Sequence, residues 1–248
     1  MVRLFIVANL LVAFSAFSTL AQELEKDTIE TSAGDLEITF IGHGTLMFTF
    51  GGKVIQIDPW SKLADYSKMP KADIILLTHE HHDHLDLKAL EIVRTGKSLL
   101  ILTETCATRV KDGIVMKNGD IKTVGGLIIE AVPAYNLVHM RSEGVPFHPK
   151  GIGNGYVITF GDKKVYVAGD TENTPEMKGL TGIDIAFLPM NLPYTMTPQE
   201  AAECARAFAP GVVVPFHYAG SDLAAFEGAL DGAVDVRLLE FYPGGLPW

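Results

Sequence analysis

The chain has 248 residues, 48% of them apolar, with 20 Lys and Arg against 30 Asp and Glu and only 2 Cys. That length and apolar share exclude a disordered chain and provide the core of one large domain. A net charge of −10 excludes a nucleic-acid partner, because phosphate-backbone affinity depends on Lys and Arg displacing counterions, and two Cys build neither a disulfide framework nor a thiolate metal site. Residues 1–21 open with Met-Val-Arg, continue as an apolar or small run to Phe17 and end in Ser18-Thr19-Leu20-Ala21 before the charged Gln22-Glu23-Leu24-Glu25. This is the layout of a secretory signal peptide cleaved after Ala21, leaving residues 22–248 as one exported domain, periplasmic or secreted. The apolar stretch is shorter than the ~20 residues of a bilayer-spanning helix, so no stable membrane insertion is expected after cleavage.

From residue 36 onward, short β-type runs alternate with turn signals and a few helical stretches, without a linker or composition break, which reads as one α/β domain. Two segments, 44–58 and 155–170, resemble each other: each reads as a β-hairpin, turning at Gly51-Gly52 or Gly161-Asp162, whose second strand runs out to Asp58 or Asp170. A duplicated half-domain produces this pattern. Helices are expected over 85–94 and 223–230, and a third from Thr197, where a cap, a Pro at the first helical position and Glu200 form a capping-box pattern that Pro210-Gly211 terminates. Cys106 and Cys204 fall in helix-like stretches and read as buried free thiols.

Chemistry enters at the strand ends. The run 73–78 ends in His79, 165–168 ends next to Asp170, 212–214 ends near His217, and 54–57 ends in Asp58. Strands sharing a sheet and a direction would gather these residues at one rim, where α/β folds place their sites. Four of the eight His lie between positions 79 and 84, in Thr78-His79-Glu80-His81-His82-Asp83-His84. Imidazole nitrogen and carboxylate oxygen are the ligands that zinc and similar divalent ions accept, and this HxHxDH spacing after a buried strand points one set of ligands at one ion and a second set at another. His82 is left as an outward turn residue.

This motif resembles the signature of the metallo-β-lactamase superfamily, and the Asp58 strand, the Ala168-Gly169-Asp170 strand end and the late His217 follow in that family's order. More narrowly, Gly42-His43-Gly44, Ile57-Asp58-Pro59, Ala168-Gly169-Asp170-Thr171 and Pro215-Phe216-His217-Tyr218 resemble the branch of ascorbate-6-phosphate lactonase and the N-acylphosphatidylethanolamine phospholipase D type enzymes. The resemblance implies a four-layer αββα sandwich and two divalent ions, zinc first, with manganese or iron as alternatives. His79 and His81 would serve the first ion, Asp83, His84 and His217 the second, and Asp170 would bridge them. Asp58 would accept the distal N–H of a ligand His.

One position departs from the family. Where it supplies a third His to the first ion, this chain has Asn136, whose amide oxygen is a weak ligand for zinc. His139 and His148 are the nearby replacements; His148 is preferred because Pro146 and Pro149 restrict its backbone. The implied function is hydrolysis of a small-molecule ester, lactone, amide or phosphodiester by a metal-bridged hydroxide, with Asp83 in the catalytic centre and His43 and Tyr194 as hydrogen-bond donors to the developing charge. An iron-dependent redox enzyme of the same superfamily and a non-catalytic binding protein with a degraded metal site are the alternatives. Loops 60–70 and 137–151 are expected to line the pocket, with Trp60, Tyr66, Met69 and Phe147 as its apolar walls.

Overall fold

A computed structural model describes residues 24–242 and 245; the expected leader, residues 1–21, lies outside the described residues. The first half of the chain forms β1 (Lys26–Ile29), β2 (Leu36–Gly42), β3 (Thr45–Phe50), β4 (Lys53–Ile57), β5 (Ile74–Leu76), β6 (Leu99–Leu102) and β7 (Ile114–Val115), a seven-stranded sheet in sequential order. Strands β1 to β4 pair antiparallel and β4 to β7 parallel. Helices α1 (Leu87–Val93) and α2 (Glu104–Arg109) lie in the parallel connections.

The second half repeats this plan. Strands β8 (Ile121–Val124) and β9 (Leu127–Ala134) are followed by a small hairpin, β10 (Met140–Ser142) and β11 (Val145–Pro146), which forms its own two-stranded sheet. Then come β12 (Gly153–Phe160), β13 (Lys163–Val167), β14 (Ile185–Pro189), β15 (Val212–Phe216) and β16 (Asp235–Val236), interleaved with α3 (Pro175–Lys178), α4 (Pro198–Phe208) and α5 (Leu223–Leu230). The second seven-stranded sheet runs β16-β15-β14-β13-β12-β9-β8, antiparallel from β8 to β13 and parallel from β13 to β16. The sequence of antiparallel and parallel pairings is therefore the same in both sheets. The expected hairpin repeat is real: β3–β4 and β12–β13 occupy corresponding places.

The layers follow from which faces are apolar. Ile38, Phe48 and Ile55 of the first sheet share one buried core with Ile129, Tyr156 and Phe187 of the second, and Ala201, Ala205 and Phe208 of α4 join it. A separate core packs Ile75, Leu77 and Leu100 of the first sheet against Ala89, Leu90 and Val93 of α1 and Cys106 of α2. Two facing sheets with helices outside make the expected αββα sandwich. Among the described residues no helix is long and apolar enough to cross a membrane.

Local chemistry sets the helix bounds. Thr197 and Glu200 form the capping box at the start of α4, which ends at Ala209 in a left-handed cap. The helix expected from residue 85 starts two residues later, because the Asp86 carboxylate caps it by accepting from Lys88 N and Ala89 N. Cys106 and Cys204 are buried and unpaired.

Candidate metal centre

The single sheet on which a shared rim would depend does not form. The four residue-bearing strand ends do not share a sheet: Asp58 and His79 follow β4 and β5 of the first sheet, whereas Asp170 and His217 follow β13 and β15 of the second. The cluster lies where corresponding edges of the two sheets meet. Backbone hydrogen bonds tie that seam, from Asn154 N to Thr78 O and from His217 N to His43 O, each 2.9 Å. His43, Asp58 and His217 all sit at positive φ, of 49°, 43° and 46°, a backbone strain that concentrates at sites over-determined by their surroundings. Gly44 is required by closeness: a Cβ there would stand 2.9 Å from His84 Cε1.

The HxHxDH segment leaves β5 and turns, with His84 N and Leu85 N both donating to His81 O. This places His79 Nε2 3.1 Å from His81 Nδ1. His148 arrives from the far side, its Nε2 3.1 Å from the same His81 Nδ1. His79, His81 and His148 thus converge as one group of three nitrogens. The second group contains Asp83, His84 and His217, together with His43. Asp170 stands between them: its Oδ1 is 3.4 Å from both His84 Nε2 and His217 Nε2, and its Oδ2 is 3.4 Å from His148 Nε2 and 4.0 Å from His79 Nε2.

These separations fit a metal. Ligands ~2.0–2.1 Å from a tetrahedral ion stand about 3.4 Å apart, close to the nitrogen–nitrogen and nitrogen–oxygen distances in both groups. His84 Nε2 and His217 Nε2 are buried polar atoms that accept and donate no hydrogen bond among the described residues, and both point at Asp170. Burial disfavours charge on Asp170, yet His217, His84, His148 and His79 around it hold its carboxyl well below the ordinary value. Burial likewise opposes protonation of His84, but Asp170, Asp83 and Asp58 raise its pKa to about 10. In the metal-free protein a proton on His84 therefore offsets the carboxylates, and a bound cation would take over that charge.

The residues behind these groups hold them in place. Asp58 Oδ2 lies 2.7 Å from His84 Nδ1 and accepts from Thr78 Oγ1, while its Oδ1 accepts from Thr78 N at 2.8 Å, which is the expected orienting role. Asn136 does not enter the cluster as a ligand. Its Oδ1 accepts from His148 Nδ1 at 2.9 Å and from His148 N at 2.7 Å, so the residue at the departing position turns His148 Nε2 toward His79 and His81. Its Nδ2 donates to Glu172 Oε1 and to Tyr194 O, which fixes the orientation of the amide. His139 turns away: its Nδ1 and backbone N both meet Glu172 Oε1, and Glu172 Oε2 accepts from Leu137 N and Val138 N.

Other expected site residues are placed differently. His43 does not face the reaction space with a free nitrogen. Its Nε2 is 3.1 Å from Asp83 Oδ2 and its Nδ1 2.9 Å from Tyr242 Oη, and burial, with His217 beside it, lowers its pKa to about 3. A neutral imidazole has one donor and one acceptor, so Nε2–H donates to Asp83 and Tyr242 donates to Nδ1. His43 braces Asp83. Tyr194 is half exposed, its ring 5.0 Å from Phe147 in an edge-to-face contact. Of the four expected pocket walls, Phe147 alone lines the cavity beside His79, His81 and His148. Tyr66 is buried in the outer core and accepts from Trp60 N, Met69 packs against that core, and Trp60 packs on His43 and His82. His82 points outward, as expected, with its side chain 80% exposed.

The sequence gives no direct sign of the roles of Thr78, Glu172 and Tyr242, and offers Asn136 as a weak or lost ligand rather than as the partner that orients His148. The available signal for Glu172 was its place two residues after Asp170, at the same strand end.

Comparison with known proteins agrees with this geometry. The model of the beta-lactamase superfamily domain matches residues 37–217. A UPF0173 metal-dependent hydrolase of Thermococcus kodakarensis is 34% identical over 200 residues, covering 74% of this chain and 84% of its own. A protein of Parabacteroides distasonis, assigned as a metal-dependent hydrolase, has a crystal structure that superposes with a TM-score of 0.84 at 48% identity, over 88% of this chain and 99% of that one. Igni18, a metallo hydrolase from Ignicoccus hospitalis, superposes with a TM-score of 0.69 at 29% identity, over 83% of this chain and 95% of its own. With its donor groups assembled on this fold, the chain belongs to the metallo-β-lactamase superfamily and is one of its UPF0173 metal-dependent hydrolases.

Proposed function

We propose that this protein is an exported hydrolase of small esters, lactones, amides or phosphodiesters that works with two divalent ions, zinc first. The observation that carries the two-ion reading is the split of Asp170, whose two oxygens face two different histidine groups. His79, His81 and His148 would hold one ion, Asp83, His84 and His217 the other, and Asp170 would reach both. When bound, such ions supply Lewis acidity and lower the pKa of water toward ~7. The protein contributes position. Asp58 and Asn136 keep His84 and His148 aimed inward, and His43, backed by Tyr242, keeps Asp83 in one orientation. Tyr194, half exposed beside Phe147, would be the donor to a leaving group. The lactone and phosphodiester options rest on the Gly42-His43-Gly44 and Pro215-Phe216-His217-Tyr218 resemblances. The complete donor set argues against a degraded binding protein.

Metal analysis tests the centre directly. The purified protein should carry two equivalents of metal, and His148→Ala should lose one; unchanged occupancy of both sites in that variant would remove His148 from the ligand set. A panel of chromogenic esters, lactones, bis-phosphodiesters and a cephalosporin, assayed with zinc and with manganese, should give turnover that a chelator abolishes reversibly. Full activity in metal-free protein would refute the scheme. Export after cleavage at Ala21 predicts a mature N-terminus at Gln22, read by N-terminal sequencing.

A further inference from the structure

The rim above the His79, His81 and His148 group is largely apolar. Leu137, Val138, Met140 and Val145, on and beside the β10–β11 hairpin, are exposed, as are Leu192 and Tyr194 on the turn that Asn136 Nδ2 ties to the same loop. Arg141, on β10, is itself exposed at this rim. Its Nη2 lies 3.4 Å from His81 Nε2, and its guanidinium carbon is 5.8 Å from the centre of the Phe147 ring that lines the cavity. No carboxylate among the described residues forms an ion pair with it.

Two other cations near the centre have polar partners: Lys150 pairs with Glu176, and Arg109 donates to the carbonyl of Glu80. The contact of Arg141 with His81 does not satisfy it either. His81 offers Nδ1 to the cluster, so a ligated ring carries its proton on Nε2, and a donor cannot accept from a guanidinium. A guanidinium held beside a cation site, without a carboxylate of its own, calls for an anion between them. The protein's overall charge of −10 does not oppose this at the site, because exposed charges farther away than ~8 Å are screened at physiological salt while a guanidinium in contact is not.

We propose that Arg141 is a specificity-determining residue that selects a substrate carrying a second anionic group, carboxylate or phosphate in kind, next to the scissile bond. The inference rests on the hydrolase reading above and names the substrate class for it. Arg141 would meet the anion with paired N–H donors, while the neutral part of the molecule lies on Phe147 and the apolar rim.

The test uses three matched substrates, mono-4-nitrophenyl succinate, its methyl-capped ester and 4-nitrophenyl 3-phosphonopropanoate, with calorimetric binding of succinate and monomethyl succinate to the metal-loaded protein. The wild type should favour the carboxylate or phosphonate ester over the capped ester by about tenfold or more in kcat/KM, expressed mainly in KM, and should bind succinate at least about tenfold tighter than monomethyl succinate. In Arg141→Ala both ratios should fall toward one, and Arg141→Lys should recover part of each. A larger loss for the carboxylate or for the phosphonate identifies which anion the site prefers. Equal handling of capped and anionic compounds by the wild type, discrimination retained in Arg141→Ala, or no measurable binding of either product would each overturn the proposal. Failure to hydrolyse any of the esters would count against the hydrolase reading, and the two binding measurements would still decide the role of Arg141.

Discussion

At position 136 an amide stands at the strand end where the family's pattern supplies a histidine, and on the proposed ligand set that role would fall to His148, twelve residues along the chain. Asn136 is fully used, accepting twice from His148 and donating to Glu172 and Tyr194. Replacing it with Ala removes the acceptor that fixes the His148 ring and leaves His148 Nδ1–H unpaired in a buried site. Asn136→Ala should weaken the metal site that includes His148 by roughly 10–100-fold, measured by competition with a chromophoric chelator, and Asn136→Asp should weaken it less because an acceptor remains. Equal affinities for all three proteins would contradict the orienting role. The HxHxDH residues were legible because their spacing is local: a single turn brings His79, His81, Asp83 and His84 together whatever the rest of the chain does. His148 was legible as the preferred of two loop histidines, on the strength of the prolines on either side of it. What separates it from His139 is Glu172, which captures His139 from another strand end, and such a contact across 33 residues leaves no mark in sequence periodicity.

Elements whose signals are local were legible in the same way. In α4 the Thr197 hydroxyl accepts from Glu200 N at 3.1 Å, and the Glu200 carboxylate accepts from Thr197 N at 2.8 Å. Thr197→Ala should cost about 1 kcal/mol, read as a lower urea midpoint with an unchanged slope; since α4 packs on the outer side of the second sheet, metal content should not change. The hairpin repeat could be read from the chain as well, because alternating apolar residues and Gly turns are enough to mark β3–β4 and β12–β13. Which sheet each hairpin joins could not. A period of two states which face of a strand is buried and says nothing about its neighbours, so whether the strand ends carrying Asp58, His79, Asp170 and His217 share one sheet stays open in the sequence; they belong to two.

For the molecule as a whole, the buried histidines set a pH window. Burial, with His81, His84 and His217 nearby and Asp170 opposing them, lowers the pKa of His148 to about 4, and that of His43 falls to about 3, against an ordinary value of 6.5. Between those values and 6.5 the unfolded chain binds more protons than the folded one, so this stability is complete above pH 6.5 and is lost as pH falls toward 4. His84 works in the opposite direction: with its folded pKa raised to about 10, its contribution is complete below 6.5 and is lost as pH rises through 10. Metal-free protein should therefore lose stability on both sides of a neutral optimum, seen as falling urea midpoints toward pH 4 and toward pH 10. A flat profile between pH 4 and 6.5 would mean that His43 and His148 are protonated at little cost.

The seam between the two sheets has a kinetic consequence. His79, His81, Asp83 and His84 come from the first half of the chain, and His148, Asp170 and His217 from the second, so on the proposed assignment neither half would own a complete set of ligands. A cation shared in that way would make parting of the two layers and release of the ion a single event. Slow amide exchange on β5 and on β13 should then speed up together when the ion is removed, because the same opening exposes both strands.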